Sequence, residues 1–220
     1  MHTLESDGFT LVRNALTPTR LAQVMGEAAS LNGVGPGTRC LLSCPWVREL
    51  AAEVRTQPKV SRFIPQFYRA IQCTYFEKSA QNNWLVPVHQ DLSVPVSHRL
   101  PLPGWGPWSV KEGSTFVQPP LSVLQSLVAV RLHLDPCGPT DGPLYVVPGS
   151  HLQGVVASEN ARLLRQHEVV CLASGGDALV FRPLLLHRSS KGSGTSRRRV
   201  LHLLFAPPEP VAGLEWRSAA

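Results

Sequence analysis

The sequence predicts a mainly β (α+β) protein in which helices precede an all-β core. From about Ala70 onward, short runs rich in β-branched and aromatic residues alternate with Gly, Pro, Asn and Asp, a pattern typical of strands and their turns. Ahead of Ala70, apolar residues recur at helical spacing instead. Because 220 residues suffice for one well-packed core, we expect a single domain over 1–220, with a helical part over about 1–69 and a β core over about 70–206.

The helical part opens with a clear helix start. Thr17 and Pro18 supply an N-cap and a proline at the first helical position. An apolar stripe follows at Leu21, Val24, Met25, Ala28 and Leu31. A second helix is predicted over 43–54, and a third over 59–68 that an internal proline shortens or kinks. One further short helix, with a serine cap, is predicted over 158–166.

The β core contains seven predicted strands, over 70–76, 85–96, 127–134, 143–147, 169–172, 178–186 and 198–205. Between the second and third strands, segment 100–120 is rich in Pro and Gly and contains Trp105 and Trp108. Such a long irregular segment in a compact domain is usually functional or disordered. We therefore expect a lid, in which the tryptophans and Lys111 contact a substrate or the tryptophans simply pack on the barrel.

Composition excludes several classes of function. The net charge is +6, but Lys and Arg are dispersed except at Arg197, Arg198 and Arg199, and no aromatic-basic motif for nucleic acid accompanies them. A mild preference for anionic small molecules is the simpler interpretation. No apolar run approaches the roughly 20 residues that span a bilayer, so no membrane partner is expected. The five scattered cysteines include no Cys-x-x-Cys pair, which disfavours a sulfur-ligated metal.

The start of the chain indicates location. The first residues are polar and acidic, without the basic start and apolar stretch of a secretory signal. We therefore expect a cytoplasmic protein with reduced cysteines. The oligomeric state is left open.

A metal site is the main functional prediction. His89 and Asp91 are two residues apart, so on a β-strand they point to the same side while Gln90 points to the other. His187 follows an apolar run about a hundred residues later, before a polar, flexible segment. Two histidines and one carboxylate can occupy one face of an octahedral ion and leave the other positions open, as in non-haem Fe(II) oxygenases.

A second His-x-Asp pair, His133 and Asp135, competes with the first. Arg131 shares their face of the strand, and a guanidinium disfavours a nearby dication. Asp135 also runs into a Pro-Cys-Gly-Pro segment, where an aspartate often caps a turn. We interpret Arg131 and His133 as pocket lining. The competitors of His187 are His98, His133, His151, His167 and His202, of which His151 lies in a Pro-Gly-Ser-His turn.

Eleven residues after His187 stands Arg198. If its strand directs this parity inward, its planar fork of donors can bind a carboxylate inside an apolar pocket. That is what a dicarboxylate co-substrate requires. A slip of one residue would substitute Arg197 or Arg199, and the spacing alone does not decide between them.

Together these residues resemble the phytanoyl-CoA dioxygenase family of Fe(II)- and 2-oxoglutarate-dependent oxygenases, from the first helix to about Ala206. The resemblance is carried by six features: His89-Gln90-Asp91, Gly142-Pro143-Leu144, Val147-Pro148-Gly149-Ser150-His151, Gly176-Asp177, His187 and Arg198. The segments 105–111 and 130–135 are similar to those of a bacterial branch whose substrates are mostly unassigned. The resemblance thus supplies a chemistry without a substrate.

The family implies a double-stranded β-helix, a jelly-roll or cupin-like barrel, with iron at its mouth. His89, Asp91 and His187 match its metal ligands. Arg198 matches the arginine that pairs with the distal carboxylate of 2-oxoglutarate, and Ser189 matches a hydroxyl that assists it. The chain starts closer to its first helix than the peroxisomal members do and lacks their targeting segment, which argues against a fatty acyl-CoA substrate.

The expected function is therefore a dioxygenase that uses Fe(II), 2-oxoglutarate and O2, with ascorbate as a candidate reductant. It would hydroxylate a small molecule and release succinate and CO2. Hydroxylation is preferred because related halogenases lack the carboxylate that Asp91 provides. Two alternatives stay open: a non-catalytic cupin-like metal- or ligand-binding protein, and a cupin-type metalloenzyme that does not use 2-oxoglutarate.

Overall fold

The computed structural model describes residues 2–31, 37–211 and 213–220. Strands predominate over helices in these ranges, as predicted. The helices are α1 (Pro18–Ala28), α2 (Pro45–Thr56), α3 (Pro58–Ser61), α4 (Leu121–Ser126) and α5 (Ser158–Leu164). The strands are β1 (Phe9–Val12), β2 (Gly37–Thr38), β3 (Arg69–Lys78), β4 (Val86–His89), β5 (Val94–Val96), β6 (Trp108–Lys111), β7 (Ser114–Val117), β8 (Val128–His133), β9 (Leu144–Val146), β10 (Val169–Cys171), β11 (Ala178–Phe181), β12 (His187–Ser189) and β13 (Arg198–Ala206).

The strands form three antiparallel sheets. The largest has the order β1-β11-β8-β13-β3-β2, the second β10-β9-β12-β4, and the third β5-β7-β6. One apolar cluster joins all three, with Leu179 from the first sheet, Val146 from the second and Val117 from the third, each fully buried. The sheets therefore face one another across a common interior, and the predicted mostly β fold with few helices is confirmed.

The helices cover the outer face of the six-stranded sheet. Residues of α1 and α2 such as Val24 and Leu50 join a second apolar cluster with Tyr75, Leu201 and Leu203 of the sheet. Side chains alternate along a strand, so the neighbours of these sheet residues point to the opposite face. The central strands of this sheet thus pack apolar side chains against the helices on one face, and their alternate side chains point into the interior of the barrel on the other.

The predicted start of α1 is confirmed in detail. The helix begins at Pro18, and the Thr17 hydroxyl accepts a hydrogen bond from the backbone N–H of Arg20. The third helix is shorter than predicted and ends at Ser61. The serine cap predicted for the later helix is wrong, since Ser158 is its first residue and Ala157 occupies the cap position without a side-chain bond.

Segment 100–120 is more regular than the sequence suggested. Its second half is a β-hairpin, with β6 and β7 joined through Glu112 and Gly113, both at positive φ. Two consecutive residues at positive φ form the tight turn that suits the twist of a hairpin. The abundance of Pro and Gly concealed this turn signal, and the expectation of an irregular segment was wrong for 108–117.

Two predicted strands are interrupted. The run 178–186 is a strand only to Phe181; the chain then crosses at Arg182 and Pro183 to the four-stranded sheet, where His187 begins β12 rather than ending a strand. Proline cannot donate to a sheet ladder, which explains the break. The run 85–96 likewise divides into β4 and β5. Two strands in the part predicted to be helical, β1 and β2, were not predicted; β1 pairs with β11 and β2 with β3.

Candidate active site

The structure brings the three predicted metal ligands together. His89 ends β4, His187 begins β12, and the two are direct partners in the antiparallel pairing of these strands. Asp91 lies just beyond β4 rather than within it. One potential ligand atom from each residue lies within 4.8 Å of the others, and no other group of this kind is found among the described residues.

Both histidines are oriented for metal binding. The Nδ1 atom of His89 lies 2.8 Å from the Pro87 carbonyl, and that of His187 lies 2.8 Å from the Leu185 carbonyl. With the proton on Nδ1, each Nε2 keeps a free lone pair. These Nε2 atoms lie 3.7 Å and 3.6 Å from the Asp91 carboxylate oxygens. The donor set fits a divalent iron ion with open coordination positions.

Electrostatics hold His187 and Asp91 in the protonation states that a metal needs. Burial is the main cause that lowers the pKa of His187 to about 4. Burial would raise the pKa of Asp91, but the imidazoles of His187, His202 and His89 together bring it below its usual value. At neutral pH His187 therefore offers a neutral imidazole, and Asp91 an anionic carboxylate, without deprotonation.

Gln90 fixes the backbone between two of the ligands. Its side chain is buried and points away from them, donating to the carbonyls of Gly154 (2.8 Å) and Leu184 (2.6 Å). Its Oε1 atom accepts a bond from the N–H of Val156 at 2.8 Å. The opposite orientation predicted for Gln90 is therefore observed, and its amide ties the His-x-Asp segment to two other parts of the chain.

Replacing Gln90 with alanine should lower the free energy of unfolding by about 2–4 kcal/mol, because three buried backbone groups lose their partner. Urea unfolding of the metal-free protein measures this. Gln166→Ala is the matched control, since Gln166 is exposed, and should change stability by less than about 0.5 kcal/mol. Equal stability of the two variants would contradict a structural role for Gln90.

The Pro-Gly-Ser-His turn supports the other histidine ligand. Ser150 donates to the Val147 carbonyl and accepts a bond from the N–H of Leu186, the residue before His187. His151 is buried and lies 3.1 Å from the Glu5 carbonyl. His151 therefore bonds to backbone at the start of the chain, 146 residues away, and not to the backbone of its own turn.

A cavity of about 420 Å³ contains the triad. Arg198 lines it with a side chain only 2% exposed, and its Nε and Nη1 atoms have no hydrogen-bond partner in the described part of the chain. Ser189 lines the same cavity and accepts a 2.8 Å bond from Nζ of Lys78. Lys78 is the direct cross-strand partner of Arg198, so two cations stand side by side.

The neighbouring arginines have other roles. Arg197 forms an ion pair with Glu77, and Arg199 forms one with Asp135 through 2.7 and 2.8 Å bonds. Of the triplet, Arg198 is the member that lines the cavity. In the competing His-x-Asp motif, the carboxylate of Asp135 is therefore engaged in a salt bridge with Arg199.

The two residues predicted to line the pocket differ. Arg131 lines the cavity, whereas His133 is buried and absent from the residues that line it. Burial first, then the charge of Arg131, holds the pKa of His133 well below its usual value. His202 places its Nε2 atom 3.8 Å from Asp91. From the sequence, Lys78 received no role and His202 was only a competitor of His187. Both nevertheless share the inward parity of their strands, Lys78 with Thr74 and Phe76 and His202 with Arg198.

The predicted substrate contacts of segment 100–120 divide into two groups. Lys111 lines the cavity. Trp105 and Trp108 instead pack against the apolar cluster shared by the three sheets and are absent from the residues that line the cavity. Both tryptophans therefore have apolar packing partners, and their contact with a substrate stays a prediction.

Comparisons with known proteins agree with this site. Residues 4–200 match the model of the family described as phytanoyl-CoA dioxygenase. No curated protein sequence matches the chain significantly. The non-heme α-ketoglutarate-dependent epimerase SnoN from nogalamycin biosynthesis shares 16% identity with a TM-score of 0.68, over 94% of this chain and 79% of its own.

Two other solved structures are similar. HygX from Streptomyces hygroscopicus, with nickel, 2-oxoglutarate and hygromycin B bound, shares 17% identity with a TM-score of 0.64, over 93% of this chain and 84% of its own. EctD from S. alaskensis shares 17% identity with a TM-score of 0.68, over 92% and 74%. At such identities these likenesses show the fold, a double-stranded β-helix. In the described ranges, no helix has the length and apolar character needed to cross a membrane.

Proposed function

This chain belongs to the phytanoyl-CoA dioxygenase family and is an Fe(II)- and 2-oxoglutarate-dependent dioxygenase; from this premise we propose that it hydroxylates a small-molecule substrate and releases succinate and CO2. His89, Asp91 and His187 would hold the iron, and Arg198, Ser189 and Lys78 the distal carboxylate of 2-oxoglutarate. When bound, the iron supplies the redox chemistry that joins O2 activation to decarboxylation of the keto acid.

The observation that carries the assignment of the co-substrate is the pair Arg198 and Lys78. Like charges directly opposite each other on neighbouring strands are destabilising, and Arg198 is buried with donor atoms unbonded. One carboxylate placed between them would accept from the guanidinium, the ammonium and the Ser189 hydroxyl together. The other end of the same dicarboxylate would then lie toward the triad in the same cavity.

The residues of the cavity would also control water and substrate. Phe76, Phe116, Phe181 and Leu204 line it, and an apolar wall keeps bulk water from a reactive site. Arg131 supports the proposal as a further cation that lines the cavity, where it can orient a bound anion. His133 is proposed as a buried neighbour that keeps Arg131 in place.

Two measurements test the proposed function. Anaerobic addition of Fe(II) and 2-oxoglutarate should produce the visible charge-transfer band of the chelate. Incubation with Fe(II), ascorbate and 2-oxoglutarate in air, with a library of metabolites, should then identify compounds that stimulate succinate release. Absence of the band from folded protein would favour the non-catalytic alternative. A band without stimulated hydroxylation by any compound, but with another oxidised product, would refute hydroxylation while retaining the co-substrate.

The affinity for 2-oxoglutarate should depend on pH through Lys78. Burial, followed by the charges of Arg198 and Arg131, lowers the pKa of Lys78 to about 7. Binding a carboxylate favours the charged amine, so above pH 7 binding must take up a proton. The Kd of the Ni(II)-loaded protein for 2-oxoglutarate should therefore rise between pH 7 and 9, by up to about tenfold per unit.

Calorimetric titration with 2-oxoglutarate measures this dependence. Lys78→Gln cannot ionise and should bind 2-oxoglutarate more weakly at pH 7, with a nearly flat profile up to pH 9. A wild-type profile that is already flat, or a variant that keeps the slope, would contradict the proposed role of Lys78.

A further inference from the structure

The cavity carries more positive charge than iron and 2-oxoglutarate can balance. Five cationic side chains line it, whereas Asp91 is the one carboxylate among the described residues that do. Asp91 and 2-oxoglutarate together supply three negative charges. The iron supplies two positive charges, and Arg198, Arg131 and Lys78 supply one each when protonated. Even with the co-substrate bound, positive charges in the interior would outnumber negative ones, and Lys111 adds one more positive charge.

Lys111 is separate from the group that would bind the distal carboxylate. It lies at the end of β6, and its Nζ atom donates a 2.7 Å bond to the hydroxyl of Ser93, two residues beyond Asp91. The same atom lies 4.9 Å from the centre of the Phe116 ring. Lys111 therefore stands on the Asp91 side of the cavity, whereas Lys78 contacts Ser189 near Arg198.

Lys111 has no ion-pair partner in the part of the chain that the structure describes. The other cation on this side, Arg39, is paired with Glu112 at 2.9 Å. Burial and the charge of Arg39 lower the pKa of Lys111, while Asp91 opposes them. Iron would neutralise Asp91, so metal binding would leave the ammonium of Lys111 without a compensating charge and with donor capacity facing the cavity.

A half-buried lysine held only by a hydroxyl and an aromatic ring is an unfavourable arrangement unless an anion joins it. Many lysines avoid it by extending into water. Lys111 instead lies along the cavity wall, where a substrate must pass or remain close to the triad. The neighbouring Ser93 hydroxyl can donate a second hydrogen bond to the same anion.

We propose that the prime substrate is a small molecule with an anionic oxygen group, a carboxylate or a phosphate, which Lys111 and Ser93 bind on the Asp91 side of the cavity. This inference rests on the proposed dioxygenase function and adds the chemical class of its substrate. Lys111 would select the substrate by charge and place the uncharged remainder of the molecule toward the metal ligands.

The test uses three probes of similar shape: benzoate, phenyl phosphate and the neutral benzamide. Each is titrated calorimetrically into protein loaded with Ni(II) and saturated with 2-oxoglutarate, so that the distal carboxylate site is filled. At least one anionic probe should bind roughly tenfold or more tightly than benzamide, a difference of about 1.4 kcal/mol. A preference for benzoate would assign a carboxylate to the substrate, and a preference for phenyl phosphate a phosphate.

Lys111→Gln should reduce this preference to less than about threefold, while the Kd for 2-oxoglutarate changes by less than about twofold. Arg99→Gln is the matched control: it removes the same charge from an exposed residue that lies over Trp108 and outside the cavity lining, and it should keep the preference. Equal binding of benzamide, failure of all three probes to bind, or an unchanged preference in Lys111→Gln would overturn the inference. Failure of the Ni(II)-loaded protein to bind 2-oxoglutarate would instead overturn the proposed function beneath it.

Discussion

Replacing Asp91 with alanine is expected to abolish stoichiometric Fe(II) binding and 2-oxoglutarate turnover together. Asp91 is the only carboxylate in the group formed with His89 and His187 in the described ranges, and its charge offsets the metal. Loss of a residue that merely supports a ligand costs 10–100-fold in metal affinity, so loss of a ligand should cost at least about 100-fold. Equilibrium dialysis with Fe(II) under anaerobic conditions, followed by succinate assays, measures both effects.

The control for Asp91 is the second His-x-Asp motif. Asp135→Asn keeps the size of the side chain but weakens its ion pair with Arg199, so stability should fall while one Fe(II) still binds per chain. Asp135 accepts from the backbone N–H of Arg199 as well as from its guanidinium, a structural role. If Asp91→Ala retained metal and Asp135→Asn lost it, the choice between the two motifs would be reversed.

The metal ligands were predictable because they depend on local rules. The alternation of side chains around His89 and Asp91 survives although Asp91 lies just past the end of its strand. Gln90 supplies the proof, since its amide is bonded on the opposite side. The prediction of the third ligand, His187, required only that its strand should lie near the first pair. The pairing of β12 with β4 meets that requirement.

Lys78 could not be assigned in the same way, because its role depends on which strands are neighbours. It faces Arg198 only because β3 lies beside β13. These two strands are far apart in the chain: the neighbouring ion pair between them, Glu77 and Arg197, joins residues 120 positions apart. Strand order is a property of the whole sheet and is not encoded in any short segment. The inward parity of β3 was readable, but the partner across the strand was not.

The interruption of the predicted strand at Pro183 shows a second limit of prediction from the sequence. An apolar run such as 178–186 fits one long buried strand, and periodicity alone cannot distinguish one strand from two that belong to different sheets. In the structure the run leaves the six-stranded sheet after Phe181 and enters the four-stranded sheet at His187. This change of sheet places the histidine over the cavity, so the error in the strand prediction lies at the functional site itself.

Replacing Arg198 with alanine is expected to weaken 2-oxoglutarate binding strongly while metal binding persists. Truncation of one member of a buried, hydrogen-bonded charge pair costs about 2–5 kcal/mol, or roughly 30-fold to several thousand-fold in Kd. Arg198→Lys keeps the charge but loses the planar fork, and should recover only part of the affinity. Titration of the Ni(II)-loaded variants with 2-oxoglutarate, alongside a count of bound metal, separates the two sites.

Arg197→Ala provides the matched control, because Arg197 is the next residue and pairs with Glu77 rather than lining the cavity; its Kd for 2-oxoglutarate should match that of the wild type. The ligand-free Arg198→Ala protein should be at least as resistant to urea as the wild type, since the change removes a buried charge beside Lys78. Unfolding therefore cannot account for lost binding. If Arg198→Ala kept full turnover while Asp91→Ala lost it, the site would be that of a metalloenzyme independent of the keto acid, because the buried guanidinium proposed to bind the distal carboxylate would have proved dispensable.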